Sequence, residues 1–497
     1  MIPDYNPKSV WPPKEWLPIY RSYEQQDAWW SGDPERLAAF YGGLVSLPDV
    51  GKSFFAPELI GSMYQTHFWS RQVAEERRIT VHVPVAGDIP QTSAALLFSE
   101  PPKCTVESRG TQERLIELVE KGNYRATLLE SAEVAAALGG VFIKVDWDKE
   151  LSPVPILSMA QPDQAIPEFK HGILTAVTFW QVVKEDDKVT WRLLEKHEPG
   201  WIYTELFKGT HDTIGSKEDL STFPELPQQQ AIVTKLEGLT CVYVPNRKPN
   251  RAFRNHPKGK DLGVADTAPL CGLMEALDES WSSLIRDIRL GVGRIIAPQS
   301  FFLKTTDGKL KFDIDKEVYT ALNFTMSPGG ALQDSIKISQ FNIRSEEHLT
   351  TAAALLRTIY GLAGYAPQTF GLDIMGIVGS AESGSALTIR ERKSLMTAAQ
   401  KADYWKPATE YIFSVALQID RLFLGGKATP EPVQVEMQDS IRGEISQIAP
   451  SVSLLSQAQV ASKAILVKML HPDWGAKEVE AEVKTILDES GLTLPEV

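Results

Sequence analysis

The sequence predicts an α+β protein, and three observations predict it. Apolar residues recur at helical spacing from Ser345 to Gly361 and again from about Ala386 to Phe423, as they do along one face of an α-helix. Segments between residues 141 and 207 are rich in β-branched and aromatic residues, which is typical of strands. The dipeptide Asp307-Gly308 stands between two short apolar segments, and this pattern favours a β-hairpin.

The first part of the chain is expected to be mostly helical. Asp33-Pro34 predicts a helix start, with Asp as the N-cap and Pro at the first helical position, and Gly42-Gly43 predicts its end. Two further helices are predicted near residues 57–76 and from about Gln112 to Leu138. Gly139-Gly140 then marks a change from helical to strand periodicity.

A β-rich region follows this glycine pair. Its strands are predicted from β-branched and aromatic residues separated by polar turns, at Val141–Trp147, Ile173–Trp180, Val189–Leu194 and Trp201–Phe207.

A helix and a small hairpin come next. Apolar residues recur at spacings of three and four from a start at Asp266 to Ile288, before Gly291 and Gly293, so this segment is predicted to be a helix. The segments 301–304 and 309–312 face each other across residues 305–308, and the Asp-Gly dipeptide predicts that they pair as a hairpin.

Two helices flank a glycine-rich segment. Ser345, followed by two glutamates, is a suitable cap for the first helix, which Gly361 and Gly364 are predicted to end. The second helix is predicted from about Ala386 to Gly425, and Pro407 should kink it or divide it in two.

The segment between these two helices, residues 364–382, carries only Asp373 and Glu382 as charged residues. Its glycines and apolar side chains predict a mobile, weakly charged loop. Ser383 is the expected N-cap of the helix that follows. Near the end of the chain, residues 453–470 and 474–488 predict two more helices, with Asp473 as a cap.

Composition limits the function classes. The 497 residues exceed the size at which a single core usually stops growing, so two or more packed regions are expected. The formal charge of −13 argues against a surface that binds nucleic acid by neutralising phosphates. Three scattered cysteines predict neither a disulfide framework nor a metal site. The sequence shows no signal peptide and no uncharged apolar run of membrane-spanning length, so a soluble, cytoplasmic protein is expected.

Several motifs resemble enzyme sites only in part. Gly51-Lys52-Ser53 matches the end of a phosphate-binding loop, but position 46 is Ser where that motif needs Gly. Ser383 and Ser385 lack the glycines of a nucleophile elbow. The histidines show no metal-ligand spacing. The basic residues Arg390, Arg392 and Lys393 are interpreted as a solvated helix face or as partners of acidic residues on a neighbouring subunit. Residues 246–254 are interpreted as a basic surface loop, with a contact to another protein or to DNA as the lesser alternative. No catalytic, cofactor-binding or metal site is predicted.

The order of these elements resembles that of tailed-phage portal proteins. The resemblance rests on the glycine-rich segment that leads into Ser383-Gly-Ser-Ala-Leu387, on Trp29–Leu37, on Glu195–Gly200 and on Pro472-Asp473-Trp474. Together these segments are similar to actinobacteriophage members of the SPP1-like portal family, over nearly the whole chain. The resemblance implies a portal fold with a helical and β wing, a two-helix stem, a small α/β clip, a long wing helix and a helical crown.

The resemblance also implies a division of the chain into the parts of a portal. These parts are the wing at 1–265, stem helices at 266–292 and 344–363, the clip at 293–343, the tunnel loop at 364–382, the long wing helix with its connection at 383–439 and the crown at 440–497.

Site residues follow from the same resemblance. The tunnel loop would present Phe370, Leu372, Asp373, Ile374, Met375, Ile377 and Val378 to DNA. The clip hairpin would use Thr306, Asp307, Gly308 and Lys309. The stem would pack through Leu277, Trp281, Leu284, Leu356 and Ile359.

The implied function is the ring-shaped channel at one capsid vertex, used for DNA packaging, retention and ejection and for head–tail joining. The expected partners are further copies in a ring, with a dodecamer the expected size, the major capsid protein, the large terminase subunit as a separate ATPase, a head–tail adaptor, double-stranded DNA in the channel and a scaffolding protein. No cofactor and no membrane are implied. The alternative is an enzyme that acts on nucleotides or nucleic acid through Gly51-Lys52-Ser53.

Overall fold

The structure is a computed structural model of the chain. It describes residues 2–3, 5–41, 81–290, 294–296, 303–304, 310–311, 337–339, 343–372, 384–437, 452–458, 460–471 and 476–489. Helices and strands are both abundant in these residues, so the chain is a mixed α and β protein, as the sequence predicts. The predicted helix at 57–76 and the segment Gly51–Ser53 lie outside the described residues. None of the described helices is both long and apolar enough to span a bilayer.

The chain forms two compact units. The first comprises Met1–Asp33, Pro84–Cys271 and Tyr360–Val497, and the second comprises Pro34–Val83 and Gly272–Ile359.

Helices of the first unit lie early and late in the chain. They are α1 (Leu17–Ser31), α3 (Val85–Phe98), α4 (Arg109–Lys121), α5 (Tyr124–Leu138), α8 (Gly384–Ile419), α9 (452–457), α10 (Lys463–Leu470) and α11 (Ala476–Glu489). The second unit contains α2 (Pro34–Ala38) and most of α6 (Cys271–Leu290) and α7 (Ser345–Ala363).

Three antiparallel sheets lie in the described residues of the first unit. Strands β4 (Ala165–Lys170), β5 (Ile173–Asp186), β6 (Val189–Glu198), β7 (Trp201–Thr210) and β8 (Thr213–Glu218) follow one another in the largest sheet, and β9 (Ala231–Val233) also pairs with β7. A second sheet has the order β10-β2-β3, formed by Cys241–Pro245, Gly140–Asp146 and Ile156–Ala160. In the third, β1 (Lys103–Thr105) pairs with β15 (Gln434–Glu436). The four strands predicted from sequence correspond to β2, β5, β6 and β7.

The main core of the first unit lies where α8 packs on α3, α5 and β2. Trp405, Ile412 and Phe413 of α8 are at most 1% exposed in this cluster. Gly139 ends α5 at a φ of 94°, and a Cβ there would lie 2.9 Å from the backbone nitrogen of Ala265. Only glycine fits this close approach without strain, which explains why the periodicity changes at this residue.

Two predicted helices differ from those observed. The segment 112–138 is not one helix, because the chain breaks at Gly122-Asn123, where Asn123 has a φ of 52°, a left-handed conformation that Asn tolerates better than most residues. Helix α8 is not divided at Pro407 but runs through it from Gly384 to Ile419. Buried residues on both sides of Pro407, Trp405 and Ala408, pack against the core and outweigh the lost backbone hydrogen bond.

The ends of other predicted helices also shift. Gly361 lies inside α7, which ends before Gly364. The predicted helix at 453–470 is two helices, and the second begins where Ser462 accepts a hydrogen bond from the Ile465 amide. The residues predicted to end or cap the neighbouring segments, Gly42-Gly43, Gly291, Gly293 and Asp473, lie outside the described residues.

In the second unit, the Asp278 carboxylate of α6 contacts two other chain segments. Asp278, 1% exposed, accepts hydrogen bonds from the Tyr41 hydroxyl at 2.7 Å and from the Val83 amide at 2.8 Å, and His82 Nδ1 lies 2.9 Å from it. Nearer its end, α6 contacts the start of α7, where Asp287 pairs with Arg344 at 3.1 Å.

The second unit also contains two pairs of short strands. Strands β12 (Leu303–Lys304) and β13 (Leu310–Lys311) pair antiparallel, as the Asp-Gly pattern predicts, and β11 (Arg294–Ile296) pairs with β14 (Lys337–Ser339).

Candidate functional site

The clearest polar site in the described residues is the base of the glycine-rich segment, where the end of α7 packs on the first half of α8. Three side chains of α8, Ser394, Thr397 and Lys401, stand on one face because their spacing is three and four residues. They fix the backbone that follows α7. We call this set the loop base, defined as residues 361–372 with Ser394, Thr397 and Lys401.

Backbone groups of the loop base are bonded one by one. The Ala366 amide donates to Ser394 Oγ at 2.8 Å, and Thr397 Oγ1 donates to the Gly364 carbonyl at 2.5 Å. Gly364 has a φ of 108°, and a Cβ there would lie 3.0 Å from Thr397 Oγ1. The turn that leaves α7 therefore requires glycine at this position.

A buried charge network lies beside this turn. The Lys401 ammonium donates to Asp266 Oδ2 at 2.6 Å, to Ser93 Oγ at 2.6 Å and to the Tyr365 hydroxyl at 2.9 Å. The side chains of Lys401 and Asp266 are 2% and 0% exposed. All three donor positions of the ammonium are used.

Asp266 is the anionic centre of this network. Its other oxygen accepts from Asn246 Nδ2 at 2.9 Å and lies 3.1 Å from Arg247 Nε. The Tyr365 hydroxyl donates to Oδ2 at 2.8 Å. Burial by itself would raise the pKa of Asp266, but the charges of Lys401 and Arg247 outweigh it and hold this pKa below its usual value. Burial lowers the pKa of Lys401, against the opposing effect of Asp266.

Arg247 extends the network to the end of α7, because its Nη1 donates to the Ala363 carbonyl at 3.1 Å. The segment 246–254 is therefore only partly the surface loop that the sequence predicts, since Asn246 and Asn250 are 2% and 6% exposed. Their amides satisfy buried carbonyls of Val264 and Gly263, and a buried carboxylate and buried carbonyls require such partners.

Asp266 itself was predicted to begin a helix, and the structure gives it a different role. The helix begins at Cys271, after a short 3-10 turn at Ala268–Leu270, while Asp266 is the buried counter-ion of Lys401. The sequence signal for Lys401 was its position on the face of α8 that continues through Trp405, Ala408 and Ile412, all buried. A lysine on an otherwise buried face indicates a buried partner.

Only two of the predicted tunnel-loop residues are described, Phe370 and Leu372. Residues 367–370 form a 3-10 turn, in which Phe370 stacks on Tyr360 with ring centroids 3.8 Å apart. Leu372 is half-buried, and its amide donates to the Pro367 carbonyl at 3.2 Å. This part of the segment is an ordered turn packed on α7, whereas Asp373, Ile374, Met375, Ile377 and Val378 lie outside the described residues.

The predicted stem residues divide by burial. Leu277, Leu284 and Ile359 are 0%, 7% and 0% exposed, while Trp281 and Leu356 are half-buried. The predicted clip residues Thr306, Asp307, Gly308 and Lys309 lie outside the described residues, between the paired strands β12 and β13.

Outside this network, the described residues include a buried histidine but no cluster suited to a metal ion. Within them, no group of three or more His, Cys, Asp and Glu side chains is placed to hold a metal ion. His197 contacts Thr240 Oγ1 and Glu195, with 2.7 Å between His197 Nε2 and Glu195 Oε1. Both His197 and Thr240 are at most 2% exposed, whereas the Glu195 side chain is 24% exposed, so the imidazole itself is closed to solvent.

Comparison with known proteins identifies the family. The family model described as phage portal protein, SPP1 Gp6-like, matches residues 62–491. No curated protein matches the chain. A solved chain from the neck of a native GTA particle, computed with C12 symmetry, is 13% identical, with 87% of this chain and 97% of that chain covered and a TM-score of 0.41. Because the family model spans most of the sequence, the chain belongs to the SPP1 Gp6-like family of phage portal proteins, which are structural components of the virion.

Proposed function

We propose that this portal protein forms a closed head-to-tail ring at one capsid vertex and that DNA passes through the ring during packaging and ejection. The family match over residues 62–491 carries the proposal. A heterologous interface repeated around an axis closes into a ring, and a dodecamer is the size expected from the family resemblance.

We further propose the division of the chain that the resemblance implies. Residues 266–292 and 344–363 would form the stem, 293–343 the clip, 1–265 and 383–439 the wing, and 440–497 the crown. The antiparallel pairing of β12 with β13 supports a projecting hairpin in the clip. The length of α8, 36 residues, supports its assignment as the long wing helix.

Residues 364–382 are proposed to be the tunnel loop that approaches DNA. The contacts of the loop base support this, because they fix where the loop leaves α7 and so fix the direction of its first residues. The chain has 64 acidic and 51 basic residues, and a wall of net negative charge would repel phosphates and let the duplex slide. The apolar residues of the loop would then seal around DNA rather than bind it.

The proposed partners follow from the portal role. The clip would contact the large terminase subunit, which supplies ATP hydrolysis, and later the head–tail adaptor. The wing would contact the major capsid protein, and a scaffolding protein would assist assembly in the host cytoplasm.

Contacts between copies are expected at exposed apolar side chains of α7. Leu349 and Leu362 are 50% and 60% exposed there, and a second copy would remove their apolar surface from water. Leu277 is fully buried within its own chain, so an acidic residue there would damage the fold and could not test contacts between copies.

The double variant Leu349→Lys/Leu362→Lys tests the ring. We expect wild-type protein to appear as rings by negative-stain microscopy and to sediment as a large assembly. The variant should remain folded by circular dichroism but sediment as a small species. Leu151→Lys/Ile173→Lys is the matched control, because these side chains are 77% and 69% exposed on the β-rich part of the chain. A wild-type chain that stays monomeric would refute the proposed function.

A further inference from the structure

A basic loop interrupts the acidic surface of this protein. Residues 247–260 contain six Lys and Arg residues and no Asp or Glu, in a chain with a net charge of −13. We call this segment the basic loop. Such a local excess of positive charge attracts anionic groups.

The basic loop has a fixed shape. Asn250 Nδ2 donates to the Gly263 carbonyl at 2.8 Å, and the Gly263 amide donates to the Tyr243 hydroxyl at 2.9 Å. Phe253 packs against a core cluster that contains Ile19. These contacts therefore hold the backbone from which the exposed cations project.

Three of its cations project into solvent. Arg251, Arg254 and Lys260 are exposed, and none of them has an ion-pair or hydrogen-bond partner for its side chain in the described residues. The other three cations are engaged within the chain. Arg247 belongs to the buried network, Lys248 lies 6.0 Å from the centre of the Phe169 ring, and Lys258 lies 3.6 Å from Glu15.

Carboxylates border this patch. Glu15 pairs with Lys258, and Asp261 directly follows Lys260. These carboxylates would repel the phosphates of a duplex bound at this loop. A single carboxylate on a protein surface is a smaller anion, and Arg binds it through two parallel hydrogen bonds.

We propose that the basic loop binds carboxylates on a second copy of this chain. The charge of the chain supports this occupant, since 64 acidic residues against 51 basic ones make adjacent copies repel unless a basic surface of one meets an acidic surface of the next. This inference rests on the proposed ring and assigns one of its contacts to Arg251 and Arg254.

Arg251→Glu/Arg254→Glu tests the contact, with Lys149→Glu/Lys188→Glu as a control. Both variants change the net charge by the same amount, and Lys149 and Lys188 are exposed. At equal protein concentration and physiological salt, we expect the fraction of the loop variant that sediments as rings to be at least about tenfold lower than that of wild type, because like charges would face each other across the contact. The control should assemble as wild type does. Arg251→Ala/Arg254→Ala should assemble to an intermediate degree, and all variants are first checked for wild-type circular dichroism.

Other outcomes would overturn the assignment. If the loop variants form rings with wild-type yield, the basic loop is not a contact between copies, although the proposed ring still stands. If they form rings but lose binding of a 30-base-pair duplex in a gel-shift assay, the loop binds DNA instead. If a folded Arg251→Ala/Arg254→Ala protein assembles as wild type while only the glutamate variant fails, the cations do not stabilise the contact and the proposal is also wrong.

Discussion

Replacing Lys401 by Met should destabilise the first unit strongly, although the two side chains are similar in length. The ammonium is 2% exposed and bonded to Asp266, Ser93 and Tyr365. Removing one partner of a buried ion pair typically costs about 3–5 kcal/mol, because the other charge stays buried. Arg247 still pairs with Asp266 at 3.1 Å, so a loss near the lower end, about 3 kcal/mol, is expected.

Urea unfolding followed by tryptophan fluorescence measures this loss. With a slope of about 3 kcal/mol per molar urea, the midpoint should fall by about 1 M. Lys406→Met is the matched control, because Lys406 is an exposed lysine of the same helix, and it should change the free energy of unfolding by less than about 0.5 kcal/mol.

A double-mutant cycle separates the pair from the site. The side chains of Lys401 and Asp266 are in direct contact. The loss of unfolding free energy in the double variant Lys401→Met/Asp266→Asn should therefore be smaller than the sum of the two single losses by more than about 1 kcal/mol. If Lys401→Met unfolds within about 1 kcal/mol of wild type, or if the two costs simply add, the buried pair does not stabilise the loop base as argued.

Two further predictions concern charges in the first unit. The pKa of Asp266 is lowered in the folded state, so the stability that its ionised form contributes is present above the unfolded pKa of about 3.9 and is lost as the pH falls through the folded pKa. Urea titrations between pH 3 and 7 should therefore show a smaller loss of stability in acid for Asp266→Asn than for wild type. Parallel curves would contradict this. Arg114→Ala should cost about 2–3 kcal/mol because Asp420, 1% exposed, loses two charged hydrogen bonds of 2.6 and 3.0 Å. Arg109→Ala, which removes an ion pair whose arginine is 93% exposed, should cost less than about 0.5 kcal/mol in the same assay, and equal costs would show that burial does not decide the difference.

The sequence predicts helices and strands better than it predicts which distant side chains bind each other. The strands β5, β6 and β7 follow from local runs of β-branched and aromatic residues, and each pairs with its neighbour in the chain. The network at the loop base joins Lys401 to a carboxylate 135 residues away, and no local pattern records such a distance. Asp266 was interpreted as a helix start because Asp next to a helical pattern usually is one.

The predicted helix boundaries are wrong where packing against the core competes with the local conformational preference of a residue. Pro407 disfavours helix by about 3 kcal/mol, yet buried neighbours on both sides keep α8 continuous. The break at Asn123 does have a local signal, because Gly and Asn are both common at helix ends, and the predicted helix wrongly extends through it. The signal for the loop base is the row of polar residues Ser394, Thr397 and Lys401 on a face of α8 that is otherwise buried.

The arrangement of Ser394, Thr397 and Lys401 also determines how the loop base would carry a mechanical load. If moving DNA pulls on the proposed tunnel loop, the force reaches three side-chain anchors that stand next to one another on a single helix. Hydrogen bonds from such a row share the load when the force acts perpendicular to the row. Bonds that are loaded one after another would each carry the full force in turn. The next turn of α8 places Trp405 in the core, so the strain would pass into the main body of the subunit rather than concentrate where the loop leaves α7.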